Sequence, residues 1–386
     1  MGNTVNGAWR AVLDASRNSG IAIDSAYAAA RMEQLSGTLR SARAQIMEMA
    51  GEEFDLDSSL ALGIILFEKL GLSRVRRVGV AYSVSNYDIE RLEHPISEAI
   101  LAYKHAGRDA CWIAQVRQAS MRGRVRPTFE PNKVGRITTS KPNVQGIPEP
   151  VRSLIISDPG CMLIQADWNA MHLRLLANLS MDPELIHLFE HGKDPFVEMA
   201  AMLFHKAMED VTADERATAK ITTYSLLYGS SCDGVADGCG LQVEAVKAYK
   251  EAFSDRFPRI HRWTERTYKA ARKAGQVLTI CGRQLCIDDL ASKRVRRGTL
   301  VSRVLQGSEA DILMGAITRT AEMLRGIGGR VLFPIHDALL VQAPLESAIE
   351  AAAMLRAAMT DIGRTLAVPL AAKVTAGQDW GHMHAC

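Results

Sequence analysis

Two short apolar runs in this chain each deliver an aspartate. CMLIQADW (161–168) ends on Asp167-Trp168, and RVLFPIHDALLVQAP (330–344) is interrupted by His336-Asp337. A carboxylate at a strand end or turn costs little when exposed and much when buried without a partner. Two such acids brought together would be poised to hold divalent metal, because hard cations take oxygen ligands. The pattern alone leaves two readings open: convergence, or two independent strand-end acids facing water.

A third set lies between them. ERATAKITTYSLLYGSSCDG (215–234) places Arg216, Lys220, Tyr224 and Tyr228 at successive i+4 steps, on one slowly drifting helix face. Arg offers a fork for phosphate oxygens and Lys a compact charge, while the tyrosines present flat surfaces for a base and sugar. Read alone, the same residues also suit a solvated helix end whose cations face water and whose tyrosines enter a core. Gly229 is expected to end the helix.

The elements that must position these groups follow from periodicity. Residues 8–50 are helical with a break at Asn18-Ser19-Gly20, and Ser25 to Met49 reads as one long helix. Further helices are expected at about 58–70 and 96–118, completing an α-rich N-terminal lobe. Residues 121–150, dense in Gly, Pro, Asn and Thr with interleaved Arg, read as irregular strand and loop. Then come the 161–168 strand, a mostly helical stretch over 172–325, a strand pair at 330–344, a helix over 345–366, and a last strand near 368–376. With 386 residues the chain is expected to form two or three lobes.

Composition is that of an ordinary globular protein, 47% hydrophobic and 23% charged, outside the disordered range. A net charge of +3 gives no global signal for nucleic acid, so any such signal must come from local clusters. Seven cysteines without a regular framework suit a reducing compartment; Cys232/Cys239 is too widely spaced for a C-x₂₋₄-C zinc half-site, and Cys281/Cys286 stands at its x₄ limit. No run reaches the ~18 uncharged apolar residues of a membrane span, and the N-terminus has no apolar signal core. Gly2 opens a myristoylation-like sequence, but Asn6 stands where Ser or Thr is needed.

Six ordered blocks together resemble the polymerase portion of family A (bacterial polymerase I-like) DNA polymerases, over almost the whole chain. FDLDSSLALGIILFEKLGL (54–72) looks like the family's thumb-region segment, and VGRITTSKPNVQGIP (134–148) resembles T-G-R-L-S-S-x-x-P-N-L-Q-N-I-P. ADWNAMHLRLLANLS (166–180) resembles motif A, D-Y-S-Q-I-E-L-R; RATAKITTYSLLYG (216–229) matches motif B, R-x₃-K-x₃-[FY]-x₃-Y-G. LQGSEADI (305–312) resembles Q-G-T-A-A-D-I, and PIHDALLVQAP (334–344) resembles motif C, V-H-D-E.

The resemblance implies an α+β right-hand fold: a palm with an antiparallel sheet, and helical fingers and thumb. Residues 1–118 would be the thumb and N-terminal helices, 119–168 and 326–386 the palm, and 169–325 the fingers. It implies template-directed addition of dNTPs to a primer 3′ end by metal-assisted phosphoryl transfer. Asp167, Asp337 and the Trp168 carbonyl would hold two Mg²⁺ ions, with Mn²⁺ able to substitute. Asp167, Asp337 and Lys220 would be catalytic; Arg216, Lys220, Tyr224, Tyr228 and His172 would bind nucleotide. Arg136, Asn143, Gln145, Arg174, Gln306 and His336 would lie along the DNA, where minor-groove acceptors report pair shape rather than sequence. Arg74, Arg76, Arg77 and the run 293–303 are candidate phosphate contacts, or equally solvated charged faces. The implied partners are primer-template DNA and dNTPs, with accessory proteins unspecified. The implied setting is a monomer in the cytoplasm of a bacterial or phage-infected cell, at the nucleoid and off the membrane.

The sequence departs from the family pattern in places. His172 replaces the motif A Glu that crowds the sugar 2′ position, so altered sugar discrimination is expected. Ala338 replaces the motif C Glu, and activity is expected to survive on two aspartates. Phe196 stands where His is common, and Gly298, beside Arg297, where Arg is common. Tyr224 is Phe in many relatives, and efficient dideoxynucleotide incorporation is expected from it. About 53 residues precede the thumb-like block, leaving no room for a proofreading exonuclease in this chain; the native protein either lacks one or is longer. Two alternatives are a single-subunit RNA polymerase-like enzyme and an inactive DNA-binding relic. Retention of both aspartates and both motif B cations argues against the relic.

Overall fold

The computed structural model describes residues 7–73, 77–78, 81–287 and 295–386. The readings placed on Gly2, Asn6, Arg74, Arg76, Lys293 and Arg294 lie outside the described residues, as does the Arg77 side chain. Helix α1 (Ala8–Ser19) stops at the expected break, with Gly20 at φ +74. After the two-residue strand β1 (Ile21–Ala22), Asp24 opens α2 (Ser25–Ala50) by accepting the Ala26 and Tyr27 amides. Gly51 closes α2 in the left-handed region at φ +73, a conformation that costs glycine little.

The helix expected at 58–70 is α3 (Ser59–Ile64) continued by a π-helical turn over Ile65–Lys69. Strands β2 (Arg77–Val78) and β3 (Ala81–Tyr82) pair, α4 (Asn86–Glu90) is a short turn of helix, and α5 (Ile96–Ala119) packs along α2. The far ends of α2 and α5 share a core of their own. Ile46, Leu62, Leu66, Phe67, Ile89, Ile96 and Ile100 are buried there, separate from the main core.

Residues 121–150 are as irregular as their composition indicates. Strand β4 (Arg124–Val125) pairs with β1, and β5 (Thr128–Pro131) pairs with β6 (Ile137–Ser140). Strand β7 (Cys161–Trp168) is followed by α6 (Met171–Ser180), α7 (Pro183–Glu190), α8 (Pro195–Phe204) and α9 (Ala213–Leu227). Asp182 and Asp194 cap α7 and α8, each with proline in the first helical position; a complete capping box of Thr212 and Glu215 starts α9. Helices α10 (Cys232–Cys239), α11 (Val243–Arg256) and α12 (Pro258–Ala274) lead to a hairpin, β8 (Gln276–Leu278) with β9 (Gln284–Cys286), that helical periodicity does not foretell.

The long α13 (Arg297–Leu324) then packs against α14 (Ala348–Asp361), α1 and β10 (Arg330–Ile335). Ser16 of α1 donates its hydroxyl to the Leu332 carbonyl at 2.5 Å, fastening the N-terminal helix to the sheet. The helix expected over 345–366 is shorter, opening with a 3₁₀ turn at Leu345–Ser347 and ending at Asp361. The last long strand begins at Ala372, past Pro369, which has no N–H to give a ladder.

The central sheet runs β10-β11-β7-β12-β13, with β11 (Ala338–Pro344), β12 (Ala372–Gly377) and β13 (His384–Ala385), all neighbours antiparallel. Of the two apolar runs, β11 is buried throughout except at Pro344, while β7 mixes buried residues with partly exposed ones and the exposed Asp167. All seven cysteines are unpaired. Among the described residues no helix is long and apolar enough to cross a membrane.

Candidate active site

The sheet register answers the question left open by the two aspartates. Asp167 on β7 pairs across the ladder with Ala338 on one side and Lys373 on the other. Asp337 is the next residue back from Ala338, at the tip of the two-residue hairpin loop His336-Asp337 joining β10 to β11. His336 adopts φ +53, unusual for a residue with a side chain, and the turn turns the chain sharply enough to bring Asp337 beside β7. The Trp168 amide donates to the Asp337 carbonyl at 3.3 Å, and the buried Trp168 indole donates to Met359 O at 2.9 Å. The segments that carry the two aspartates are thus tied to each other and to α14.

The electrostatics match two like charges sharing a recess. Asp167 is pushed up to about 6, by loss of hydration and by Asp337, against the pull of Lys220 and Lys373. Its side chain keeps solvent contact, so the hydration loss is that of a concave cleft rather than of a core. Asp337 is also pushed up, by burial and by the Glu309 charge, against a backbone hydrogen bond and the His172 and Arg136 charges. Among the described residues no group of three or more His, Cys, Asp and Glu side chains converges as a metal cage. The donor set is two hard carboxylates with unneutralised repulsion. That fits a divalent cation that completes its shell with water and phosphate oxygens, as Mg²⁺ does.

Helix α9 faces this recess: Lys220 lowers the Asp167 carboxyl, and Asp337 charge reaches Tyr224 and Tyr228. Arg216 pairs with Asp194 at 2.8 Å, so the acid that caps α8 also fixes the start of the cationic face. Phe196, buried where relatives often carry His, lies under both cations, 5.5 Å from the Arg216 guanidinium and 5.6 Å from Lys220 Nζ. Tyr224 and Tyr228 stack with centroids 5.8 Å apart and planes within 8°. Tyr228 is the C-cap rather than part of the helix, and burial raises both phenols well above their ordinary value. Gly298, at the start of α13, abuts this cap. A Cβ there would lie 2.3 Å from Gly229 N and 2.5 Å from the Tyr228 carbonyl carbon, so no larger residue fits where relatives often carry Arg.

Sequence reasoning missed the group that joins these parts. Glu309 on α13 is 1% exposed and accepts from Arg136 Nε at 3.0 Å, Arg136 Nη2 at 2.5 Å and His172 Nε2 at 2.5 Å. The other ring nitrogen of His172 bonds the Tyr228 hydroxyl. Burial pushes the Glu309 carboxyl up, but His172 and Arg136 outweigh it and the net shift is downward. The signal was present: Glu309 occupies a position that reads Ala in the family stretch Q-G-T-A-A-D-I. Lys373 had no local signal; only strand register places it.

The residues expected along DNA divide. His336 is exposed at the hairpin tip and Asn143 is exposed in its turn, where its carbonyl oxygen takes the Thr139 hydroxyl and the Gly146 amide. Gln306 is half-buried and donates to Ser302 at 3.0 Å. Gln145 binds inward, to Thr139 N, Ile137 O and Pro334 O, and so fastens the β5–β6 pair to β10. Arg136 is spent on Glu309. Arg174 stands apart from the group: it donates to Asn169 O and Pro369 O and lies over the Phe189 ring. In the basic run, Arg297 pairs with Glu265 and Arg303 donates to Cys286 O.

A sheet that presents paired carboxylates, opposed by a helix bearing Arg, Lys and two tyrosines, defines a polymerase-type palm and fingers. The chain belongs to DNA polymerase family A, whose family model matches residues 25–382. It is 30% identical to the thermostable DNA polymerase I of Thermus aquaticus, over 96% of this chain and 47% of that one. It is 29% identical to DNA polymerase I of Geobacillus stearothermophilus, over 94% and 44%. The chain therefore spans about half the length of the curated relatives it matches. In structure it resembles the POL domain of Pol1 from M. smegmatis, solved in complex with DNA primer-template and dNTP. The TM-score is 0.89 at 25% identity, covering 97% of this chain and 70% of that one.

Proposed function

We propose that this chain is a template-directed DNA polymerase that extends a primer 3′ end with deoxynucleotides. The observation that carries this reading is the register that sets Asp167 and Asp337 side by side, facing Lys220 and the stacked tyrosines of α9. Family A polymerases are metal-dependent. Asp167, Asp337 and the Trp168 carbonyl would hold two Mg²⁺ ions, replaceable by Mn²⁺, which when bound activate the primer hydroxyl and neutralise charge on the pyrophosphate.

The chain's own residues do the remaining work. Lys220, exposed and within the field of Asp167, meets the triphosphate and offsets negative charge as the leaving oxygens develop it. Arg216 joins it by exchanging part of its pairing with the half-exposed Asp194 for phosphate oxygens. Tyr224 and Tyr228 give a flat wall for the base pair, and His172 borders the sugar. Asn143, Gln306 and His336 contact the duplex. Residues 1–118 form the thumb and N-terminal helices, 119–168 and 326–386 the palm, and 169–325 the fingers. The separate core at the ends of α2 and α5 supports a thumb that is its own packing unit. The protein acts as a monomer in the cytoplasm.

The test is single-nucleotide addition to a labelled primer on four templates differing only at the first unpaired base. The expected result is Mg²⁺-dependent addition of the complementary dNTP only, lost on chelation. Addition that ignores the template base, or none at all, contradicts the reading.

A further inference from the structure

We propose that Glu309 is a positioning residue for sugar selection, holding His172 in place from across the site; this rests on the polymerase reading above. His172 lies on α6 and Glu309 on α13, and the two meet only through the tertiary fold. The His172 ring is wedged between the carboxylates and the tyrosines, 6.0 Å from Tyr224 and 5.9 Å from Tyr228. Its charge and that of Glu309 both reach Asp337. A nucleotide whose phosphates lie at the aspartates and whose base lies on the tyrosines must pass its sugar over this ring.

Imidazole is a poor wall unless something holds it, because its χ angles leave it free to swing and its two nitrogens can exchange roles. Glu309 removes both freedoms. An ionised carboxylate only accepts, so it fixes a proton on His172 Nε2, while Nδ1 is held by the Tyr228 hydroxyl. Arg136, just before β6, anchors the carboxylate bidentately and holds it toward the His172 ring. A buried charge is costly and needs a reason, and both of its partners lie in the site. The chain has in effect moved a carboxylate: motif A lacks its Glu at 172, and position 309, Ala in the family stretch, carries one. A glutamate acting only as ballast for Arg136 would not be bonded to the ring that borders the sugar.

Kinetic selectivity tests this, since a loss of folded enzyme scales dNTP and rNTP rates alike and cancels in their ratio. We would measure kcat/KM for a dNTP and its matching rNTP on one template for wild type, Glu309→Ala, Glu309→Gln and the double exchange His172→Glu/Glu309→Ala. Glu309→Ala is expected to lower the dNTP preference about tenfold or more, the scale of losing one charge-assisted orienting hydrogen bond. Glu309→Gln keeps an acceptor for Nε2 and is expected to retain most of the preference. The double exchange returns the carboxylate to position 172 and is expected to restore it. A dNTP-to-rNTP ratio unchanged in Glu309→Ala, with primer extension intact in the wild type, overturns the inference alone. A wild-type chain that extends no primer overturns the polymerase reading and this inference together.

Discussion

At the scale of single residues, the two aspartates hold their place against their own electrostatics. Loss of hydration in the recess and the Asp337 charge push the Asp167 carboxyl up to about 6. The folded chain therefore keeps a proton on Asp167 at pH values where the unfolded chain has lost it. Stability contributed by this group falls as pH rises from about 4 to about 6, and the penalty is fully present above that. Asp167→Asn is expected to stabilise the metal-free protein at neutral pH by about 1 kcal/mol, discounted for solvent contact, with no gain near pH 4. Denaturant unfolding at pH 4 and pH 7.5 measures it; equal effects at both values contradict the assignment of the shift. Sequence showed the chemistry of these acids but not their meeting, because ladder register is a long-range property. It showed Phe196 and Gly298 as departures without their reasons, and it passed over Glu309, whose partners lie 137 and 173 positions away.

At the scale of elements, local signals served well and non-local ones poorly. The break at Gly20 and the start of α2 were legible in sequence, whereas the stretch over 172–325 reads only as mostly helical, although the caps of α7, α8 and α9 are each written within four residues. The β8–β9 hairpin was not legible, lying inside a helical stretch with only Gly282, at φ +83, to mark its turn. The joint between α9 and α13 is likewise invisible in sequence. Gly298 and Gly229 are in backbone contact there, and this contact fixes Tyr228. Gly298→Ala places a methyl group against backbone that cannot yield, so a loss of about 1–3 kcal/mol is expected, with kcat/KM for dNTPs falling alongside. A variant whose unfolding midpoint and kcat/KM both match wild type would show that the two helices are not locked.

At the scale of the molecule, a net charge of +3 conceals the arrangement that matters. Positive groups converge on α9 and carboxylates on the sheet opposite it, while α13 spans from the joint at Gly298 through Glu309 to the packing against α1 and β10. One helix thereby connects the stacked tyrosines, the buried carboxylate and the sheet that presents the aspartates. The right-hand architecture was legible from six ordered blocks, whereas Ala338 shows what the blocks could not. It lies directly opposite Asp167, so the carboxylate that relatives carry there would stand against the pair, and on the proposed reading the site would run on two acids. The most direct measurement is single-turnover primer extension with Mg²⁺ by wild type, Asp167→Asn and Asp337→Asn, with primer-template affinity measured in parallel. Each isosteric change is expected to lower the extension rate about a thousandfold or more, the loss of transition-state charge stabilisation, while leaving DNA affinity within a few-fold. Extension by either variant within tenfold of wild type would contradict the assignment of Asp167 and Asp337 as the catalytic pair.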